Sequence, residues 1–216
     1  MDPITLIAIT KQGLEGVVAQ EVAALGLEPR TVSRGSVEFA AALADVPRAN
    51  LWLRCADRVL LQVGAFRAVT FDELFEQTKA LPWEQWIPRD GVFPVSGKSV
   101  QSTLQSVRSS QAIVKKAIAE RLMAAYGESW LPETGASFAI QVALLRDVAT
   151  LTLDTSGEGL HRRGYRTEAG EAPLKESFAA GLVQLSQWRP ELPLVDPLCG
   201  AGTILIEAAL LARGRA

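Results

Sequence analysis

One histidine and two cysteines in 216 residues leave almost nothing from which to build a metal centre. Cys55 and Cys199 lie far apart and match no metal-ligand spacing, and His161 alone cannot make up a ligand set. The same scarcity excludes a disulfide framework and points to a reduced, cytoplasmic protein. No stretch reaches the roughly 18 uncharged apolar residues of a membrane span. Met1-Asp2-Pro3-Ile4-Thr5-Leu6 has neither the basic start nor the apolar run of a signal peptide. Internal repeats and low-complexity tracts are absent as well.

What remains is an ordinary globular composition, 48% hydrophobic and 21% charged, enough for a sizeable core. A net charge of −2 gives no whole-chain hint of a polyanionic partner. The distribution does. Lys98, Arg108, Lys115, Lys116 and Arg121 face Glu120 alone between positions 98 and 126, and His161-Arg162-Arg163-Gly164-Tyr165-Arg166 adds three arginines with no acid.

The pattern along the chain predicts a strand at Thr5–Thr10 and a helix at Leu14–Leu25. Strands follow at Glu28–Ser33 and Ser36–Ala41, then a helix at Leu43–Leu53 and a strand at Arg58–Phe66. That βαββαβ order is the ferredoxin-like arrangement, an antiparallel sheet with both helices on one face. A second α/β unit opens with a capping box, Thr70 and Glu73, and a helix that Leu81-Pro82-Trp83 ends. It continues with a short strand at Val92–Val95, a Ser/Gln/Lys-rich segment Ser96–Ser110, a helix at Gln111–Tyr126, and a strand pair at Ser137–Leu145 and Val148–Leu153. After the Gly-rich connector Ser156–Gly159 come a helix from Pro173 to about Gln187, a short buried strand at Leu192–Val195 and a helix at Ile204–Leu211. The fold class is thus α/β with an α+β N-terminal part.

The strand-to-helix turn Asp196-Pro197-Leu198-Cys199-Gly200-Ala201-Gly202-Thr203 carries the sharpest signal. An acid at a strand tip and two close glycines let a flat ligand lie against bare backbone. A phosphate-binding P-loop would need a Lys after its last Gly, where Thr203 stands. A dinucleotide fingerprint would need a third Gly, where Leu205 stands. S-adenosylmethionine carries no phosphate and needs neither device; the alternative is a Gly-rich turn that binds nothing. Ala172-Pro173-Leu174-Lys175-Glu176 opens the preceding helix, as plain helix-start chemistry or as a lip over the same ligand. On the helix at 111–126, Ile113, Val114, Ala117, Ile118, Leu122 and Ala125 share one face. Arg108, Lys115 and Lys116 share the other, either as a phosphate-binding face or as a solvated one. Lys98 and Ser99 could add phosphate or 2′-hydroxyl contacts. Arg162, Arg163, Tyr165 and Arg166 suit phosphate contact and stacking, or serve as structural arginines.

Taken together, Leu160–Arg166, Ala172–Glu176 with Ala179-Ala180, and Asp196–Ala209 resemble consecutive signatures of the THUMP-containing RNA guanine-N2 methyltransferases. The resemblance implies a ferredoxin-like domain at 1–66, a THUMP RNA-binding domain at 67–155, and a linker at 156–216 with the first helix-strand-helix of a Rossmann-like class I methyltransferase domain. It implies S-adenosylmethionine held by Asp196, Pro197, Gly200, Gly202 and Thr203, with Pro173, Lys175 and Glu176 alongside. RNA, ribosomal by the same resemblance, would meet Lys98, Ser99, Arg108, Lys115, Lys116, Arg162, Arg163, Tyr165 and Arg166. The family's catalytic Asn/Asp-Pro-Pro-Tyr is not in this sequence, which contains no Pro-Pro. The chain is therefore expected to be an N-terminal part, inactive alone. Its segment 190–216 is expected to dock on the THUMP unit, pair with another copy or stay poorly ordered, because a lone strand and two helices cannot cover their own apolar faces.

Overall fold

A computed structural model describes residues 3–165 and 173–216. Two compact units emerge, residues 1–60 with 155–216 and residues 61–154. The expected β-α-β-β-α-β order holds in the first: β1 (Ile4–Thr10), α1 (Glu15–Ala24), β2 (Glu28–Ser33), β3 (Ser36–Ala41), α2 (Asp45–Trp52) and the start of β4 (Ala56–Arg67). The strands lie in the order β2-β3-β1-β4, the ferredoxin-like arrangement, with β3 antiparallel to both β1 and β2. Alternation explains β3, where Val37, Phe39 and Ala41 are buried and their neighbours half-exposed. Gly35 turns the chain from β2 to β3 at φ +78°, a conformation that costs glycine little. Glu15 stands in for a side-chain cap on α1, accepting the N–H groups of Gly13 and Gly35 at 2.8 Å each. The Gly35 bond, first among several, holds its carboxyl below the usual range.

The second unit contains α3 (Phe71–Ala80), a 3₁₀ turn at Trp83–Gln85, β5 (Val95–Val100), α4 (Val107–Tyr126), β6 (Ile140–Leu145) and β7 (Val148–Asp154). The capping box of α3 is present in both directions, Thr70 taking the Glu73 N–H and Glu73 reaching back to the Thr70 N–H. Strands run β7-β6-β5, with β6 antiparallel to β7 and parallel to β5. Here the sequence misleads. Val92 makes only an isolated bridge to Ser137, and the strand lies instead on Val95–Val100, inside the Ser/Lys-rich segment. An edge strand needs backbone pairing with β6 more than it needs apolar side chains. Helix α4 starts earlier than the apolar pattern, at Val107, because Ser106 caps it by accepting the Ser109 N–H.

In the first unit again, α5 (Glu176–Leu185) and α6 (Thr203–Ala212) pack on each other, and α5 on α1. Pro173, Leu174 and Lys175 precede the helix rather than opening it, with Lys175 at the cap. The strand expected at Leu192–Val195 does not form. No strand among the described residues lies beside it to complete a ladder, and Val195 and Leu198 are 82% and 91% exposed. Of the three outcomes expected for 190–216, docking on the 61–154 unit is not seen, since the segment belongs with the first unit.

Replacing Thr70 with Ala removes one half of the α3 capping box. A loss of about 1 kcal/mol is expected in the urea unfolding of the 61–154 unit.

Candidate cofactor loop and basic surfaces

The loop before α6 is built by two left-handed glycines. Gly200 has φ +51° and Gly202 φ +72°, and a Cβ at either would meet nothing within 4 Å. The glycines are therefore required by backbone conformation, and the space beside them is open to a ligand. A tight turn closes the loop, with Gly202 N–H donating to Cys199 O at 2.7 Å. Asp196 Oδ1 accepts the Leu198 N–H at 3.1 Å, and its Oδ2 has no partner among the described residues. Thr203, buried, is the first residue of α6. These groups fit a cationic, phosphate-free nucleoside: a carboxylate for positive charge and bare backbone for a flat ring.

Helix α6 is held by an acid that the sequence reading left without a role. Glu207, fully buried, receives Arg54 Nη1 at 2.6 Å, and Arg54 is itself only 4% exposed. Tyr165 Oη donates to Glu207 Oε1 at 2.8 Å. Arg163 Nε stands 4.0 Å from the same oxygen, while its Nη2 donates to Leu53 O at 3.2 Å. One carboxylate one turn into α6 thus gathers the end of α2, the linker and the helix behind the glycine loop. The signal in the sequence was a lone charge inside Ile204–Leu211, an apolar run that can bury a Glu only if a partner meets it.

A second buried acid sits on α1. Glu21 accepts Gln184 Nε2 from α5 at 2.6 Å and the Cys55 N–H at 3.1 Å. Burial nevertheless pushes its carboxyl up, against those two bonds. The buried Cys55 thiol is pushed far up as well, by burial first and by the Glu21 charge, so it is a packing residue and no nucleophile. Glu21, Arg54 and Gln184 line a cavity of about 610 Å³ together with Trp52, Leu211 and Arg215.

The candidate RNA contacts fall into occupied and open groups. Arg163 and Tyr165 are committed to Glu207. Arg162 is exposed and 3.7 Å from Glu158. Arg166, like Ala172, lies outside the described residues. On α4, Lys115 Nζ meets Glu133 at 2.6 Å and lies 3.9 Å above the Phe93 ring. Lys116 is 3.9 Å from Glu120, which Lys79 also holds at 2.8 Å. Arg121 pairs with Glu84, its Nε donating at 2.9 Å. Lys98 and Arg108 are exposed and have no acidic partner among the described residues. Ser99 Oγ donates to Leu104 O at 2.8 Å. Among the described residues there is no group of His, Cys, Asp and Glu that could hold a metal ion, and no helix is long and apolar enough to cross a membrane.

Two measurements check this wiring. Glu207→Ala leaves Arg54 buried and unpaired, and denaturant unfolding of the first unit is expected to lose about 3–5 kcal/mol. Glu21→Gln tests the raised carboxyl. A folded value above the unfolded one means that wild-type stability falls as pH rises through and above 4.5. The variant is therefore expected to gain on wild type in thermal unfolding at pH 8, and the gap is expected to close near pH 4.

Comparison with known proteins agrees with the order of these parts. Residues 5–60 match the RlmL ferredoxin-like domain, 68–154 the THUMP domain, and 163–216 the RMKL-like methyltransferase domain. The chain is 55% identical over 213 residues to "Putative RNA methyltransferase YpsC" of Bacillus subtilis (strain 168), covering 98% of this chain and 55% of that protein. A crystal structure described as a predicted N6-adenine-specific DNA methylase from Listeria monocytogenes str. 4b F2365 superposes with a TM-score of 0.95 at 56% identity, over 99% of this chain and 56% of that one. SMU.472, described as "a putative methyltransferase complexed with SAH", gives 0.92 at 44% identity over 98% of this chain and 56% of its own. The chain thus spans about half the length of these relatives. In succession the chain thus carries matches to a ferredoxin-like domain, a THUMP domain and the start of a methyltransferase domain, the order of parts in the THUMP-containing methyltransferases that it resembles.

Proposed function

We propose that this chain is the RNA-recognition and cofactor-loop portion of a methyltransferase that uses S-adenosylmethionine to modify the guanine N2 of a structured RNA, ribosomal by preference. The open, doubly left-handed glycine turn Gly200–Gly202 in front of a firmly anchored α6 is the observation that carries the reading. The SAH bound to SMU.472 supports the choice of cofactor. In this reading the domains run 1–66, 67–155 and 156–216, and the protein is cytoplasmic.

The cofactor supplies an electrophilic methyl group. Gly200 and Gly202 let its nucleoside approach the backbone, and Asp196 with Pro197 and Thr203 fixes that edge. Pro173, Lys175 and Glu176 stand at the start of α5, which packs beside α6. Catalysis of an in-line displacement rests largely on positioning donor and acceptor, and Glu207 serves it by fixing α6. The groups that hold the target amine are assigned to the part of the longer relatives that this chain does not span. The exposed Leu185, Leu192, Val195 and Leu198 would meet that part, and in the chain by itself they favour self-association.

The full-length protein, given S-adenosylmethionine with a labelled methyl group, is expected to mark RNA on N2 of guanine. The 216-residue chain is expected to transfer none. Label on adenine N6 in DNA would establish the other chemistry, the one named for the Listeria relative. Label on neither, with no retention of the cofactor, would end the methyltransferase reading.

A further inference from the structure

Helix α6 begins at the glycine loop, and little at that end holds it. Gly202 stands at its N-cap with no side chain to close the first turn. Of its ten residues, Thr203, Glu207 and Ala208 are buried, and Ile206 is 37% exposed. Helix α5 packs along it, but so narrow a buried strip resists sliding and rotation weakly. The helix needs a second restraint.

Arg54 supplies it, from the junction of α2 and β4 in the ferredoxin-like part. Its Nη1 donates to Glu207 Oε2 at 2.6 Å, and its Nη2 donates to the carbonyl of Arg215. Glu207 lies in the second turn of α6, about 6 Å along the axis from Thr203. Arg215 lies just past the helix stop, where the Gly214 N–H donates to Leu211 O and the Arg215 N–H to Leu210 O, both at 3.1 Å. One planar guanidinium thus grips α6 near its start and again beyond its end, which fixes both where the helix lies and how it is turned. The neighbours of Glu207 hold less. Arg163 Nε is 4.0 Å from Glu207 Oε1, too far for a hydrogen bond, and is buried without a hydrogen-bond partner. Tyr165 meets Glu207 through one bond.

We infer that Arg54 is a positioning residue for the cofactor. It holds α6 so that the backbone of Gly200–Gly202 stands ready for the nucleoside before any ligand arrives. The inference rests on the cofactor reading above. It adds that a side chain of the ferredoxin-like part, remote in sequence from the loop, sets how tightly that loop receives its ligand.

The test is calorimetric binding of S-adenosylhomocysteine to the full-length protein, with thermal unfolding of each variant alongside. Arg54→Met loses both grips and is expected to bind about tenfold more weakly. Arg54→Lys keeps a charge opposite Glu207, and its unfolding temperature is expected close to wild type. Its single ammonium does not span both acceptors, so its affinity is still expected to fall, about fivefold. A residue that merely holds the fold together would recover stability and affinity at once in this variant. Amide exchange of the cofactor-free 216-residue chain gives a second readout. The hydrogen-bonded amides of Gly202 and Ile206 are expected to exchange about tenfold faster in Arg54→Lys, with β1 and β3 unchanged. Should Arg54→Met not fold, Arg54→Lys decides. If Arg54→Lys binds as wild type, or if β1 and β3 loosen as much as the loop, Arg54 serves the fold alone and the inference is overturned. If the wild-type full-length protein binds no S-adenosylhomocysteine, the cofactor reading falls and takes the inference with it.

Discussion

A buried ion pair, Arg54 with Glu207, is the constraint on which the first unit depends. Both members are almost wholly removed from water, so neither tolerates loss of the other. Glu207 lies on α6 immediately behind the glycine loop, and Arg54 lies where α2 gives way to β4. The pair therefore fastens the glycine loop to a ferredoxin-like sheet that is far away in sequence. Tyr165 and Arg163 complete it from the linker. Gln184 to Glu21 repeats the device one helix away, tying α5 to α1.

In the 61–154 unit the same currency of charge is used differently. Lys79, Lys115, Lys116 and Arg121 mostly meet carboxylates at the surface, where such pairs contribute little stability but cancel the field. Lys98 on β5 and Arg108 on the first turn of α4 are exposed and meet no carboxylate among the described residues. The polar character of β5 is what obscures it as a strand in the sequence.

Much of the fold was legible because local signals agreed. β2 and β3 end where the alternation and Arg34-Gly35 say they should, and the Thr70/Glu73 box marks α3 to the residue. Legibility failed where tertiary pairing outweighs local pattern. Val95–Val100 is a strand because β6 lies beside it, and Leu192–Val195 is none because nothing among the described residues does. Gly200 and Gly202 were legible as a turn with bare backbone, while the positive φ that both require emerges only from the fold. Glu207 was not given a role, because its partners Arg54 and Tyr165 are distant in sequence and nothing in the sequence names them. The same limit applied to Lys115: its basic side chain was visible, its Glu133 and Phe93 partners were not.

The unladdered stretch around Leu192–Leu198 has a consequence for biosynthesis. Translation proceeds from the N-terminus, and early domains fold as units while later ones are still being made. Once α5 and α6 have settled, this apolar backbone has its amide hydrogens unsatisfied by any neighbouring strand and its side chains in water. Such a segment is sticky towards any sheet edge it meets. For as long as no strand edge lies beside it, the polypeptide is best served by a holdase that covers this surface.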